Sequence, residues 1–281
     1  MIEAKVIADS ISPSDVRLTT LQLRYPRFIH SEFMTHRQFS RNASSSRAIP
    51  VAKMIEQVRT EPAEPIHWGR NQPGMQADEE THHIGIAQNC WKLAANDAAH
   101  YAEILAENAR VHKQVANRIL EPFTFISVVV TATEWDNFFH LRLHPDAQPE
   151  IQELAKVMKA AMDGSKPKFC GLGDWHLPYI TGPYLDDVEQ AKLISAARCA
   201  RVSYLNHDNS EPDITKDLAL AERLAESGHW SPFEHQAAPL SYHRWLGGSW
   251  ETGVTHVDRD RNLWSGNLRG WVQHRCLKAA E

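Results

Sequence analysis

The sequence predicts an α/β (α+β) fold, a twisted mixed sheet flanked by long helices. Three observations predict it. Two short runs near the start, Ala4 to Ala8 and Arg17 to Tyr25, mix apolar and β-branched residues as strands do. Two stretches carry apolar residues at helical spacing, Ile84 to Arg110 and Glu150 to Met162. Between them Phe123 to Thr133 reads Phe-Thr-Phe-Ile-Ser-Val-Val-Val-Thr-Ala-Thr. That run fits a buried strand, or a helix imposed by packing.

Composition bounds the rest. A chain of 281 residues is long enough for one large domain or two small ones. With 42% hydrophobic and 23% charged residues it reads as an ordinary globular chain. A net charge of −5 gives no reason to expect a nucleic-acid polymer as partner. Cys90, Cys170, Cys199 and Cys276 lie far apart with no Cys-x-x-Cys pair. This argues against a zinc ribbon or a disulfide framework and fits a reducing compartment. No apolar run reaches the ~20 residues of a membrane span, and Met-Ile-Glu-Ala-Lys is not a signal peptide. A cytoplasmic location without membrane contact is the expectation.

Taken in order, the first strand leads through a turn at Ser10 to Asp15, which holds Pro13, into the second strand. Pro26 then stands at a helix start, and Phe28, Ile29, Phe33 and Met34 form its apolar face. His36 and Arg37 fall near the end of that helix, with Ser40 to Arg47 in the loop beyond. Ala52 to Val58 reads as a short helix, and Thr60 to Gln76, rich in Pro, Gly and polar residues, as a covering loop. In the long helix Ala87, Trp91, Ala94, Ala98, Tyr101 and Leu105 make a stripe for another helix or subunit. Adjacent His82 and His83 point in different directions on a helix, so no metal site is expected there. Helix continues through Val111 to Leu120 until Glu121-Pro122 stops it. Trp135 to Leu143 reads as helix or turn. Residues 163–186 carry a loop or linker that divides one catalytic domain into segments 1–162 and 187–281. Beyond it lie helices at Val188 to Ala200 and from Pro212-Asp213 to Gly228. The end is loop-rich from Gly247, then helical from about Asn267.

The candidate chemistry starts at Thr35 to Arg47, Thr-His-Arg-Gln-Phe-Ser-Arg-Asn-Ala-Ser-Ser-Ser-Arg. Three arginines, one histidine, one asparagine and four serines make a dense set of donors for anionic oxygens. Read alone, such a run is as easily a solvated basic turn.

This stretch resembles the signature of flavin-dependent thymidylate synthases, Arg-His-Arg-x-x-Ser-x-Asn-x-x-Ser-x-Arg. His36, Arg37, Ser40, Asn42, Ser45 and Arg47 are in register with it. Thr35 replaces the first arginine and Ala43 a usual glutamate. Two further blocks resemble the family. Val115 to Leu120 is similar to a helix end with a nucleotide-binding arginine, here Arg118. Asn137-Phe138-Phe139-His140-Leu141-Arg142, with Ala147-Gln148 and Glu150, is similar to Asn-Phe-Leu-x-Leu-Arg…Ala-Gln-x-Glu, with Pro149 in place of the family's tryptophan. Two more motifs, Ala197 to Tyr204 and Gly228-His229-Trp230-Ser231-Pro232-Phe233-Glu234-His235, resemble those that usually open the family's chain. Here they follow the signature, the order of a circular permutation. Arg269 to Arg275 loosely echoes the family's arginine-rich helix before the signature.

The resemblance implies a thymidylate-synthase-complementing-protein-like fold and the reductive methylation of dUMP to dTMP. It implies FAD, with NADPH as reductant and methylenetetrahydrofolate as carbon donor. It implies a homotetramer with shared sites. By the same carry-over Ser45, Arg47, Arg118 and Arg142 bind the nucleotide. His36, Arg37, Asn42, Asn137, Ser203, Ser231 and Glu234 line the flavin side, and Arg142 and His229 are the catalytic candidates. None of the four cysteines sits in the Pro-Cys-His setting of a covalent thymidylate synthase, whereas a flavin leaves the protein only to bind, orient and polarise. Thr35 and Ala43 lie at the family's nucleotide and flavin sites. They leave open a related pyrimidine-nucleotide C5 methylase or hydroxymethylase, or a non-catalytic nucleotide- or flavin-binding homologue.

Overall fold

The computed structural model describes residues 1–181, 187–202, 212–241 and 250–278. β1 (Glu3–Ile11) and β2 (Arg17–Pro26) are antiparallel, and their turn is closed by Ser12, whose Oγ accepts from the Val16 N–H at 3.1 Å. β3 (Ser40–Ala43), β4 (Phe125–Ala132) and the short β5 (Lys168–Phe169) complete a mixed sheet in the order β3-β4-β2-β1-β5. Of its two readings, the β-branched run takes the strand. Leu21 pairs with Val130 and Leu23 with Val128, so period-two alternation sends these side chains to one face.

The helices before residue 164 are α1 (His30–Phe33), α2 (Val51–Thr60), α3 (Ile84–Glu107), α4 (Lys113–Ala116), α5 (Asp136–Arg142) and α6 (Pro149–Asp163). α6 starts on Pro149, whose fixed φ and missing N–H suit a first helical position. Its Ile151, Leu154 and Met158 are fully buried against Leu21, Leu23, Val128 and Val130. Burial of apolar surface stabilises by about 25 cal/mol per Å², and this layer holds α6 on the sheet.

The other face is covered by the second segment. α7 (Val188–Arg201) and α8 (Ile214–Glu226) pair, each capped by an aspartate, Asp187 and Asp213. A 3-10 turn at Ser231–Glu234 follows, then β6 (Ala237–Pro239), β7 (His256–Val257), β8 (Leu263–Ser265), β9 (Leu268–Arg269), β10 (Trp271–Gln273) and α9 (His274–Lys278). Phe233 is fully buried among Ala196, Ala197 and Ala221 of the helix pair. Within the stretch 163–186, β5 pairs parallel to β1, and His176 bridges to Ala237.

Five expectations change. The helix from Pro26 is only a 3-10 turn at Arg27–Ile29 followed by one turn of α1. The signature is not all loop: Ser40 to Ala43 form β3 because β4 offers a free edge, pairing Ser40 with Thr131 and Asn42 with Val129. α3 does not run on, since Arg110 takes a left-handed φ of 52°. α4 is a single turn, continued as a 3-10 helix over Asn117–Phe123 that contains Pro122. The α3 stripe is rotated: Ala95, Ala99 and Ala102 are buried against Met54, Ile55 and Val58 of α2, whereas Ala94 and Tyr101 are exposed. Small alanines let the two helix backbones approach closely. The chain end is β-structure to Gln273, turned at Gly270 with φ 69°, and helical only from His274.

Candidate active site

Phe39 anchors the start of β3. It is buried among Phe33, Trp135 and Phe138, with ring centroids 5.8, 4.7 and 5.4 Å away. From there the signature side chains are placed by their strand positions. Gln273 Nε2 donates to Ser40 Oγ and to the Glu234 carbonyl, both at 2.9 Å. With its amide nitrogen facing inward, Asn42 donates to the Ser231 carbonyl at 3.1 Å. The turn Ser231 to Glu234 therefore touches β3 within one chain, although some 190 residues separate them.

At the other end of the signature, His36 and Arg142 form a second group. Arg142 Nε donates to His36 Nε2 at 2.9 Å, and the guanidinium also pairs with Glu32 and reaches Thr35 Oγ1 at 3.5 Å. Burial first, then Arg142 and Arg41, push His36 down to about 4. At neutral pH it is a neutral imidazole that accepts on Nε2 and carries its proton on Nδ1. Thr35, His36, Arg37, Asn137 and Arg142 line a pocket of about 220 Å³ together with Glu134 and Phe138. Arg37 and Asn137 are exposed at its mouth. Arg269, from the arginine-rich C-terminal stretch, pairs with Glu134 at 3.2 Å.

The loop after β3 is held by its buried side. Ser44 exchanges backbone and side-chain bonds with Ser127, and Ser46 Oγ donates to Glu121 Oε1 at 2.6 Å. Asn117 Nδ2 donates to the Ser46 and Ile49 carbonyls at 2.7 and 3.0 Å. Ser45 and Arg47 are left exposed on the outer side, where the Arg47 N–H donates to Ser45 Oγ at 3.3 Å. Arg118 and Arg27 reach the same Glu121 oxygen at 3.0 and 3.8 Å. Arg27 and Arg118 thus share one carboxylate, while Arg47 stands exposed.

Of the expected site residues, His36, Arg37, Asn137 and Arg142 line the pocket, whereas Asn42, Ser45, Arg47, Arg118, His229, Ser231 and Glu234 lie outside its lining. His229 is exposed, with Nδ1 2.9 Å from Ser227 Oγ. Glu234 pairs with Arg275. Ser203 lies outside the described residues. Sequence reasoning missed Glu32, Glu134, Arg27 and His176. Glu32 was within reach of it, four residues before His36 on one helical face. His176 carried no local signal. The cysteines offer no activated thiol in the interior: burial pushes Cys170 up to about 12, and Cys199, fully buried, higher. Among the described residues no helix is long and apolar enough to cross a membrane.

Comparison with known proteins gives one sequence match and several weaker structural ones. No curated protein sequence matches the chain. Among solved structures, the UMP/dUMP methylase PolB from Streptomyces cacaoi bound with 5-Br UMP is 18% identical at a TM-score of 0.45, covering 58% of this chain and 88% of that one. The flavin-dependent thymidylate synthase ThyX from Helicobacter pylori, complexed with FAD and dUMP, is 16% identical at a TM-score of 0.36, covering 52% and 67%. A second structure of ThyX from that organism is 13% identical at a TM-score of 0.40, covering 57% and 93%. The sequence model of the thymidylate synthase complementing proteins matches residues 9–168, more than half of the chain, from β1 through the signature to β5. By that match the chain belongs to the thymidylate synthase complementing protein family.

Proposed function

We propose that this protein is a flavin-dependent thymidylate synthase that methylates dUMP to dTMP, with methylenetetrahydrofolate as carbon donor and NADPH as reductant. The observation that carries the reading is the signature register on β3 and its flanks, inside the 9–168 family match. The donor set fits a flavin. The pocket of about 220 Å³ beside His36 and Arg142 suits one ring system rather than a whole dinucleotide. Exposed Arg37, Arg47 and Arg118 suit phosphates. In this reading His36, Arg37, Asn42, Asn137, Ser231 and Glu234 hold the flavin, and Ser203 and His229 stand on its folate side. Ser45, Arg47 and Arg118 hold the nucleotide phosphate. Bound flavin supplies the hydride and one-carbon transfers. The protein supplies orientation and charge. Arg142, fixed by Glu32 and His36, stabilises negative charge that develops on a bound ring.

The two segments make one catalytic domain in permuted order, with residues 163–186 between them. Exposed Ile86, Leu93, Tyr101 and Ile104 on α3 favour assembly into a homotetramer with shared sites. A second reading keeps the scaffold and changes the pyrimidine, because Thr35 and Ala43 depart from the signature at the expected nucleotide and flavin positions. The test is direct. Protein mixed with FAD should retain it on ultrafiltration with a perturbed visible band. It should then form dTMP from dUMP when given the folate and NADPH. Retention of FAD with turnover only on another pyrimidine nucleotide selects the second reading, and FAD passing fully into the filtrate removes both.

A further inference from the structure

One carboxylate oxygen joins the loop after β3 to the 3-10 helix Asn117–Phe123. Glu121 Oε1 accepts from Ser46 Oγ at 2.6 Å and from Arg118 Nη1 at 3.0 Å, and Arg27 Nη1 lies 3.8 Å from it. Ser46 stands between Ser45 and Arg47. Its carbonyl accepts from Asn117 Nδ2 at 2.7 Å, on the same 3-10 helix as Arg118 and Glu121. An internal anion therefore already occupies an arginine assigned above to phosphate.

The three partners of Glu121 are not equally held. The Arg27 side chain is 15% exposed and also donates to the Ser44 carbonyl at 3.3 Å. Ser46 is buried. The Arg118 side chain is 57% exposed and meets Glu121 through Nη1. A pair so exposed to water is weak, so Arg118 is the partner that leaves most readily. When it leaves, Glu121 keeps the Ser46 hydroxyl and the nearby Arg27 charge, so its carboxylate is not stranded.

We infer that Glu121 is a specificity-determining residue, an internal anion that Arg118 exchanges for a phosphate monoester bound at the loop. The exchange selects by charge. A carboxylate carries one negative charge, and a phosphate monoester carries about 1.5 to 2 at pH 7. A guanidinium gains by moving from the first to the second. It gains little by moving to a phosphate diester, which carries one charge like the carboxylate. The loop is thereby allotted to a mononucleotide rather than to the diphosphate of a dinucleotide. That the monoester belongs to dUMP rests on the nucleotide reading above. The exchange itself needs only the phosphate.

Calorimetry on the full chain at neutral pH, with dUMP and inorganic phosphate as separate probes, tests this. Glu121→Gln removes the competing charge and keeps an amide oxygen to accept from Ser46. It should tighten dUMP about fivefold, the worth of one exposed ion pair. Unchanged or weaker binding by the folded variant overturns the exchange. In an Arg118→Ala background the same substitution should have almost no effect, and a full fivefold gain there would show that Glu121 does not act through Arg118. The unaltered protein should bind dUMP about tenfold more tightly than its monoanionic methyl ester. Equal affinity for the two overturns the exchange whether or not the glutamine variant folds. Inorganic phosphate that binds, and tightens in the variant, while dUMP does not bind removes the nucleotide reading and leaves the exchange standing. Protein that binds neither removes both.

Discussion

The two faces of the central sheet are built on different principles. One face presents Leu21, Leu23, Tyr25, Val128 and Val130 to α6 and is sealed by Ile151, Leu154 and Met158. Any well-shaped apolar layer could cover it. The other face presents Thr20, Gln22 and Thr131, and these need partners with particular atoms in particular places. Tyr179 serves Gln22 at 2.8 Å, and His176 and His235 serve the threonines. An apolar face asks only for volume. A polar face specifies its neighbours one by one, and here they come from the stretch 163–186 and from the second segment.

The comparison can be broken at several points. The largest effects belong to the apolar layers. Phe233→Ala, which empties a fully buried site between α7 and α8, should cost about 3–5 kcal/mol in denaturant unfolding. Leu154→Ala on the opposite face should cost about 2–5 kcal/mol. If only the second of these destabilises, the two segments unfold separately and the sheet is not their common core. Asp217→Ala comes next. It strands Arg198, whose side chain is fully buried, beside Arg201, and should cost about 3–5 kcal/mol, mostly through a charge left without its carboxylate. Thr20→Val keeps the shape of the polar face but removes the hydroxyl that meets Thr131 and His176, an expected loss of about 1–3 kcal/mol.

A pH dependence acts on buried histidines, and its sign is fixed. His30 and His36 are pushed down to about 4, and His176 and His235 to about 3, in each case first by burial, from an ordinary value of 6.5. The unfolded chain takes up these protons near 6.5, and the folded chain only near 3 to 4. Stability is complete above pH about 6.5 and declines as pH falls towards about 3. Melting temperatures should drop across that window, and His176→Gln should make the drop shallower. A melting temperature that does not change over the window would mean that these rings are charged in the folded protein.

This contrast also explains what the sequence could and could not disclose. The strand at Arg17 and the helix at Glu150 were legible because their apolar positions repeat at fixed local spacing, whereas the run from Phe123 left strand and helix both open and is a strand through its pairing with β2. β3 was not, because Ser-Arg-Asn-Ala has no strand pattern and becomes one only by pairing with β4. The α3 stripe was legible in part: Trp91 and Ala98 pack inward, but Ala94 is exposed and Ala95, Ala99 and Ala102 are buried in its place, because alanine is equally at home buried or exposed. In the site, His36, Arg37, Asn42 and Arg142 were readable from the signature and its companion block. His176 was not, since nothing in Asp174-Trp175-His176-Leu177 announces that its ring will stand between Ser10 and Thr20.

Binding can sharpen the same comparison. Arg47→Ala removes an exposed guanidinium from the loop beyond β3. It should weaken dUMP about ten- to a hundredfold while leaving FAD affinity and stability nearly unchanged, the signature of a charge-assisted phosphate contact. Equal calorimetric affinity in the variant would place the phosphate elsewhere.

The measurement closest to the central claim is a crystal structure of the protein with FAD and dUMP bound. The account predicts that the flavin touches both segments, with Asn42 on β3 and the turn Ser231 to Glu234 against the same molecule. A flavin held only by residues 9–168, with that turn remote from it, would contradict the claim that the second segment completes the site.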